Sequence, residues 1–450
     1  MNHFSFQSAS AILSALVMTC TIGALTIFSR DESKLTPGPM SHGHYQIELK
    51  CDACHGDSED SIQKACVTCH GDELKRVDDS HPVVKFMDPR NIDRLKNIDA
   101  RKCASCHREH RPELTQAMGV TLPEDYCGFC HQEIAKERPT HVGLGFETCA
   151  TAGCHNFHDN SSLYESFLAS HLDEPDLFPN GKVPEIKIAL TGDDAGATRL
   201  TNMDADMPTD QPVTRDLLNR WQMSNHAKAG INCTQCHSTS GVSQNSGKWK
   251  DHVAMDQCAE CHAYETKGFL EGRHGMRTAA KLSPMKPTLA RLPMKSGSAH
   301  RTLTCTSCHA SHRFDTQKAA VKACLECHND DHSNAYLDSP HYTTWLNELN
   351  EVKETGTGVS CATCHMPRIT VNQFGETSIK VDHNQNNTLR PNEKMIRSVC
   401  LNCHGLQFSL DSLADANLIK ANFKGKPTKR IASLEMIKEE IVRNIRSETK

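Results

Sequence analysis

The most continuous apolar stretch of the chain covers residues 9–29 and carries no charged side chain. It is long enough to cross a bilayer. Three readings stay open for this N-terminal segment, residues 1–30: an uncleaved membrane anchor, a cleaved signal peptide, or a lipoprotein signal built around Cys20. No small-x-small cleavage pattern follows the run, no Lys or Arg precedes it, and Met18-Thr19 is a poor lead-in to a lipid-bearing cysteine. Each reading sends the chain out of the cytoplasm. Beyond residue 30 the apolar positions become short and scattered. Helical periodicity is visible at 215–227, 341–350, 409–422 and 431–446. In the last of these, Ile431, Leu434, Ile437, Ile441 and Ile445 fall near one face, and Lys438, Glu439, Glu440 and Arg443 lie elsewhere. That face is expected to pack on its own domain, with a dimer contact as the competing reading. The stretch from Thr191 to Pro212, with Gly192, Asp193, Asp194, Asp204, Asp206 and Pro208, reads as a loop or linker. It contains no twelve-residue calcium loop.

Cysteine changes this picture. The chain holds 23 cysteines in 450 residues, and 22 of them follow one repeated pattern. Ten copies of Cys-x-x-Cys-His stand at Cys51-Cys54-His55, Cys66-Cys69-His70, Cys103-Cys106-His107, Cys127-Cys130-His131, Cys233-Cys236-His237, Cys258-Cys261-His262, Cys305-Cys308-His309, Cys324-Cys327-His328, Cys361-Cys364-His365 and Cys400-Cys403-His404. An eleventh copy places four residues between Cys149 and Cys154-His155. Cys-x-x-Cys-His is the attachment signature of c-type haem. Two thiols one helical turn apart add to the two vinyl groups of one porphyrin, and the histidine that follows falls under the iron. The longer copy satisfies both vinyls by looping out backbone. Paired Cys-x-x-Cys units also build zinc ribbons. A ribbon needs no histidine directly after each second cysteine, and here all eleven have one. The sequence therefore predicts eleven covalently attached haem c groups.

Of the 27 histidines, eleven are proximal and His3 precedes the apolar run. The other fifteen are His42, His44, His81, His110, His141, His158, His171, His226, His252, His274, His300, His312, His332, His341 and His383. Eleven irons need at most eleven further ligands, so this set suffices for two imidazoles on every iron. His110, His158 and His312 each stand three residues after a proximal histidine and are expected to reach a neighbouring haem. His226 and His252 precede their motifs by seven and six residues, and His42 and His44 are alternatives to each other. Iron held by two histidines has no open position, which suits electron transfer rather than bond-making.

Composition agrees with a cofactor-built interior. Hydrophobic residues make up 37% of the chain and aromatics 5%, thin for this length, so the porphyrins supply the missing apolar core. The expected fold is mainly α with much irregular loop, a haem-cored multihaem cytochrome c fold in two haem modules. Five motifs lie between Cys51 and His155, six between Cys233 and His404, and none between. The expected layout is a five-haem module at 40–185, a linker at 186–212, a six-haem module at 213–410 and C-terminal helices at 411–450. Motif spacing holds no fixed period, so the chain is no solenoid. A formal net charge of −5 without a basic patch speaks against nucleic acid as partner. The expected location is periplasmic or otherwise extracytoplasmic, with anchoring to the inner membrane left open.

The region 226–410 resembles the octahaem cytochrome group, which includes hydroxylamine oxidoreductase and the octahaem nitrite and tetrathionate reductases. The likeness is carried by Ser224-Asn225-His226 before its motif, by Arg273-His274-Gly275, by the run from Cys305 to His312, by Ser339-Pro340-His341, and by the run from Gly358 to Pro367. It covers under half of the chain. The long-spaced motif is similar to small tetrahaem cytochromes of sulfate reducers. For members that are enzymes, the resemblance implies one special haem. The chain lacks Cys-x-x-Cys-Lys and lacks the stretched cysteine spacing of sulfite-reducing relatives. Tyr264, Tyr336 and Tyr342 lie in the region where hydroxylamine oxidoreductase cross-links a tyrosine to its haem.

Two functions follow. The first is electron transport along a chain of haems between a membrane or periplasmic donor and a terminal acceptor. Its partners would be a quinol dehydrogenase, a periplasmic cytochrome or a terminal reductase. The second is an oxidoreductase of nitrite, hydroxylamine or tetrathionate with one open haem in the C-terminal module. There Arg273, Arg277, Lys281, Lys295 and Arg368 would hold an oxyanion and His274 would donate protons. The same basic residues also read as partners of haem propionates, and the all-histidine motifs favour the carrier. No catalytic residue is assigned, and a homo-oligomer is left open.

Overall fold

The structure, a computed structural model, describes residue 18 and residues 37–58, 60–149, 156–159, 164–186, 198–238, 248–313, 315–373, 376–389 and 392–448. The apolar run at 9–29 with Cys20, together with His3, Cys154-His155 and residues 187–197 of the acidic stretch, lies outside the described residues. Among the described residues no helix is long and apolar enough to cross a membrane.

The attachment motif itself dictates short elements. In seven motifs the N–H of the histidine donates to the carbonyl of the first cysteine at 2.8–3.1 Å, closing one α-turn. That turn sets two thiols and an imidazole around one point. Cys103–Cys106, Cys233–His237 and Cys361–His365 are helical, whereas Cys51–Ala53, Cys305–Ser307 and Cys400–Asn402 are 3-10 turns. Side-chain caps start several of them. Asn232 accepts from the N–H of Cys233 at 2.8 Å while Gln235 accepts from the N–H of Asn232 at 2.6 Å. Ser360 and Thr363 bond each other's backbone N–H at 3.2 and 3.0 Å before Cys361. Both arrangements satisfy the orphan donors of a helix start.

The fold is mainly α with little sheet. It divides into two compact units, one of Met1–Cys66 with Lys102–Leu122, the other of Val67–Arg101 with Pro123–Lys450. The larger unit has two small apolar clusters. One gathers Leu168, Ile396, Leu406, Leu410, Leu413, Leu434 and Ile437, and the other Val321, Tyr336 and Trp345. The C-terminal helix Ser433–Glu448 packs on Glu165–Ser170. Its Leu434 and Ile437 are buried in the first cluster, Ile431 and Ile441 lie against it, and Ile445 is exposed.

Periodicity located the other helices but not their breaks. The span 215–227 is two helices, Arg215–Gln222 and Asn225–Lys228, because Ser224 accepts from the N–H of Ala227 at 3.3 Å and caps a fresh start. Ser339 and Pro340 open the helix Pro340–Leu349. The span 409–422 is broken at Asp415, whose carboxylate caps Ala416–Lys420 after the helix Leu406–Ala414. An antiparallel hairpin without a sequence signal follows the motif at 361. Strand β1, Arg368–Gln373, pairs with β2, Glu376–Val381, with Arg368 opposite Val381.

Two outcomes test this core. Leu410 is 1% exposed, and Leu410→Ala should cost about 2–5 kcal/mol in urea unfolding; a loss below about 1 kcal/mol would show that the cluster is not a true core. Asp415 accepts from the Thr428 hydroxyl and N–H and from the Leu418 N–H, which hold its carboxyl at about 2 instead of 3.8. A depressed carboxyl adds stability that is complete above its unfolded value and is lost as pH falls through its folded value. Asp415→Asn should therefore flatten the fall in melting temperature between about pH 4 and pH 2. An unchanged fall would take Asp415 out of the acid response.

Candidate functional site

Imidazoles face one another across a nearly constant gap. Eight histidine pairs have ring centres 5.9–6.5 Å apart, and each joins one Cys-x-x-Cys-His histidine to a histidine from another part of the chain. In the smaller unit His55 faces His110. In the larger unit His131 faces His81, His237 faces His312, His262 faces His226 and His309 faces His383. There too His328 faces His274, His365 faces His332 and His404 faces His341. The fit to one iron can be tested by arithmetic. A metal–imidazole bond is about 2 Å and the ring centre lies about 1 Å further, so two axial rings would stand about 6 Å apart. Among the described residues no three His, Cys, Asp or Glu groups converge to hold a bare metal ion. The pairs thus suit an iron whose other four bonds go to a porphyrin.

Local structure explains how each second histidine arrives. His110 sits at φ 61°, a left-handed conformation that turns its ring back toward His55. His332 lies in the first turn of Asp331–Ala335, where Asp330 accepts from the N–H of Ser333 at 3.0 Å. The hairpin β1–β2 carries the chain to His383. There Gly272 permits close approach, since a Cβ on it would lie 2.9 Å from the His383 carbonyl.

Hydrogen bonds and burial set the ring chemistry. The Nδ1–H groups of His81 and His332 donate to the carbonyls of Phe157 and Ile419 at 2.5 Å, and that of His237 to Lys250 at 2.6 Å. Those of His110 and His404 donate to Gly38 and Asp176 at 2.8 Å, that of His383 to Val381 at 3.0 Å and that of His226 to Ser311 at 3.4 Å. A donated Nδ1–H leaves Nε2 as the lone pair aimed at the gap. Burial, reinforced by the facing ring, pushes His274, His341 and His365 down to about 4. Burial also lowers His81, His131, His226, His309 and His312. These imidazoles are neutral at physiological pH, the form a metal requires.

The remaining candidate histidines are placed differently. His107 donates to the Gly119 carbonyl at 3.1 Å. His44 bonds Glu109 at 2.6 Å, and Glu109 also accepts from the Ser41 N–H and hydroxyl at 2.8 Å. Burial alone would raise that carboxyl, but these donors outweigh it and hold it at about 2. In the larger unit His158 bonds Asp79 at 3.1 Å, and His70 lies 3.5 Å from Glu73, which is ion-paired to Lys394. His171 lies against the Phe167 ring, tilted 42° to it, His141 lies 3.1 Å from the Thr140 hydroxyl, and His42, His252 and His300 are exposed.

Several neighbours carry no sequence signal. Trp249 stacks on His237 at 4.6 Å, Phe157 on His81 at 4.1 Å and Phe408 on His404 at 4.9 Å. Four of the five candidate oxyanion residues bond the protein itself. Arg273 donates to the Asn386 side chain at 3.0 Å, Arg277 to the Ser283 carbonyl at 3.0 Å, Lys295 to the Leu325 carbonyl at 2.5 Å and Arg368 to the Pro184 carbonyl at 2.8 Å. Tyr336 is buried and donates to the Val359 carbonyl at 2.8 Å.

Residues 43–132 match the cytochrome c3 family. A cytochrome c-552 of Aliarcobacter butzleri is 29% identical over 188 residues, which cover 35% of this chain and 36% of that protein. A cytochrome c-552 of Haemophilus ducreyi is 26% identical over 130 residues, covering 25% and 26% of the two chains. One from Haemophilus influenzae is 24% identical over 182 residues, covering 33% and 32%. The chain thus spans little more than a third of the length of these curated relatives at most. No solved structure matches it significantly. Family segment, relatives and attachment motifs agree in supporting a multihaem c-type cytochrome with covalently bound haem c.

Proposed function

We propose that the protein carries electrons along eleven haems, each attached through the two cysteines of one motif, between a membrane or periplasmic donor and a terminal acceptor. One observation carries this reading: eight motif histidines each face a second histidine at the spacing of two axial ligands. Held in that way, haem c supplies a reversible one-electron change at an iron with no position left for a substrate. The chain's residues keep that change small in geometry. Backbone carbonyls fix the Nδ1–H of many rings, and burial keeps His274 and His341 neutral. Arg273, Arg277, Lys295 and Arg368 bond protein oxygens, which supports the carrier over an oxyanion enzyme. The likeness of 226–410 to octahaem enzymes is then one of layout. The reading places the protein outside the cytoplasm, where a quinol dehydrogenase or small cytochrome would reduce it and a terminal reductase would oxidise it.

Low-temperature EPR of the oxidised protein tests the ligation. Parallel ring planes act on the same iron d orbital and split the pair strongly, whereas perpendicular planes act on both alike. The His237–His312 pair, with planes 5° apart, should give a rhombic low-spin signal. His81–His131 at 87° and His332–His365 at 82° should give highly anisotropic ones. His341→Ala should add one high-spin iron per chain by opening the site of His404. A large high-spin signal in the unmodified protein would sink the carrier reading. Mass spectrometry should find eleven haem additions on the exported chain; ten would remove the long-spaced motif at Cys149 from the set.

A further inference from the structure

Cysteines of successive motifs meet as well. Cys258 lies beside Cys305, and Cys324 beside Cys361, close enough for each pair to interact electrostatically. All four are first cysteines of their motifs. Second cysteines make the links between: Cys236 lies near Cys258 and Cys261, Cys308 near Cys324 and Cys327, and Cys364 near Cys400 and Cys403. The motifs that begin at 233, 258, 305, 324, 361 and 400 therefore adjoin in chain order, by second and first cysteines in turn. The first-to-first contact recurs between Cys66 and Cys103 in the smaller unit and between Cys127 and Cys149 in the larger one.

The histidines give neighbours independently. His332 stands four residues past His328 and faces His365 at 6.1 Å, which ties the sites at 324 and 361. His226 stands seven residues before Cys233 and faces His262 at 6.1 Å, which ties those at 233 and 258. Its Nδ1–H donates to Ser311, one residue before the His312 that faces His237. These bonds fold the site at 305 against the other two. The helix Cys361–His365 also packs on the turn Lys318–Lys322, which leads into Cys324. Three or four residues span at most about 11–14 Å, so irons that share such a segment lie close together.

We propose that the six C-terminal sites form one continuous electron relay whose order in space is their order in the chain, with the 258/305 and 324/361 cysteine edges side by side. The inference rests on the electron-carrier reading above. A thioether sulfur sits on the rim of its porphyrin, so cysteines side by side mean rims side by side. The two termini of the relay are then the sites at 233 and 400, and donor and acceptor dock at those ends.

The test is the position of each iron in the haem-loaded full-length protein, by anomalous diffraction at the iron edge or by cryo-electron microscopy. Each of the six C-terminal irons should have as its nearest neighbour the iron of an adjacent motif. The shortest separations should be 258/305 and 324/361. A nearest neighbour from a non-adjacent motif overturns the relay order. The same map shows the axial ligands separately, so an open coordination position would strike the carrier reading alone.

Discussion

Two imidazoles held about 6 Å apart by distant segments form the constraint that the other features serve. A gap of that size cannot be held by one short peptide, so the chain closes each site from two sides. The motif turn fixes one ring against its two cysteines. A cap, a hairpin or a left-handed residue delivers the other. This explains why the helices are short and why the apolar clusters in the larger unit are small. Long regular elements would crowd the space that the cofactors fill, and the cofactors replace the buried side chains that a chain of this size otherwise needs.

Much of the chemistry was legible in the sequence, because attachment is local. Cysteine spacing names the covalent sites, and the spacing from His309 to His312 marks a ring that reaches a different site, as His312 does with His237. The identity of other second histidines was not legible. Nothing near His274, His341 or His383 says that they face His328, His404 and His309, since those meetings depend on tertiary paths such as the hairpin β1–β2. The helix breaks at Ser224 and Asp415 were hidden for another reason. Both residues are polar positions that a periodic pattern tolerates, and only their side-chain bonds to the following turn reveal them as caps.

The rings also divide by what receives their second nitrogen. Many donate to backbone carbonyls, but His44 meets Glu109 and His158 meets Asp79. A carboxylate acceptor makes an imidazole a stronger electron donor than a carbonyl does. Ordinary side chains outside the motifs thereby grade the donor strength of these two rings. The half-buried Glu109 keeps its charge because three donors converge on it, so this grading is built into the fold rather than left to solvent.

Cross-chain closure has a consequence for biosynthesis. A chain made from its N-terminus presents His81, His226, His274, His332 and His341 before the motif histidines that they face. Those sites can close as soon as their own motif is loaded. His110, His312 and His383 come after His55, His237 and His309. Those three sites stay half-built while later chain emerges. The sites at His237 and His309 wait far longer than the one at His55, that at His309 until the whole of β1 and β2 has passed, and they are the points where a nascent chain is most exposed to a stray ligand or oxidant.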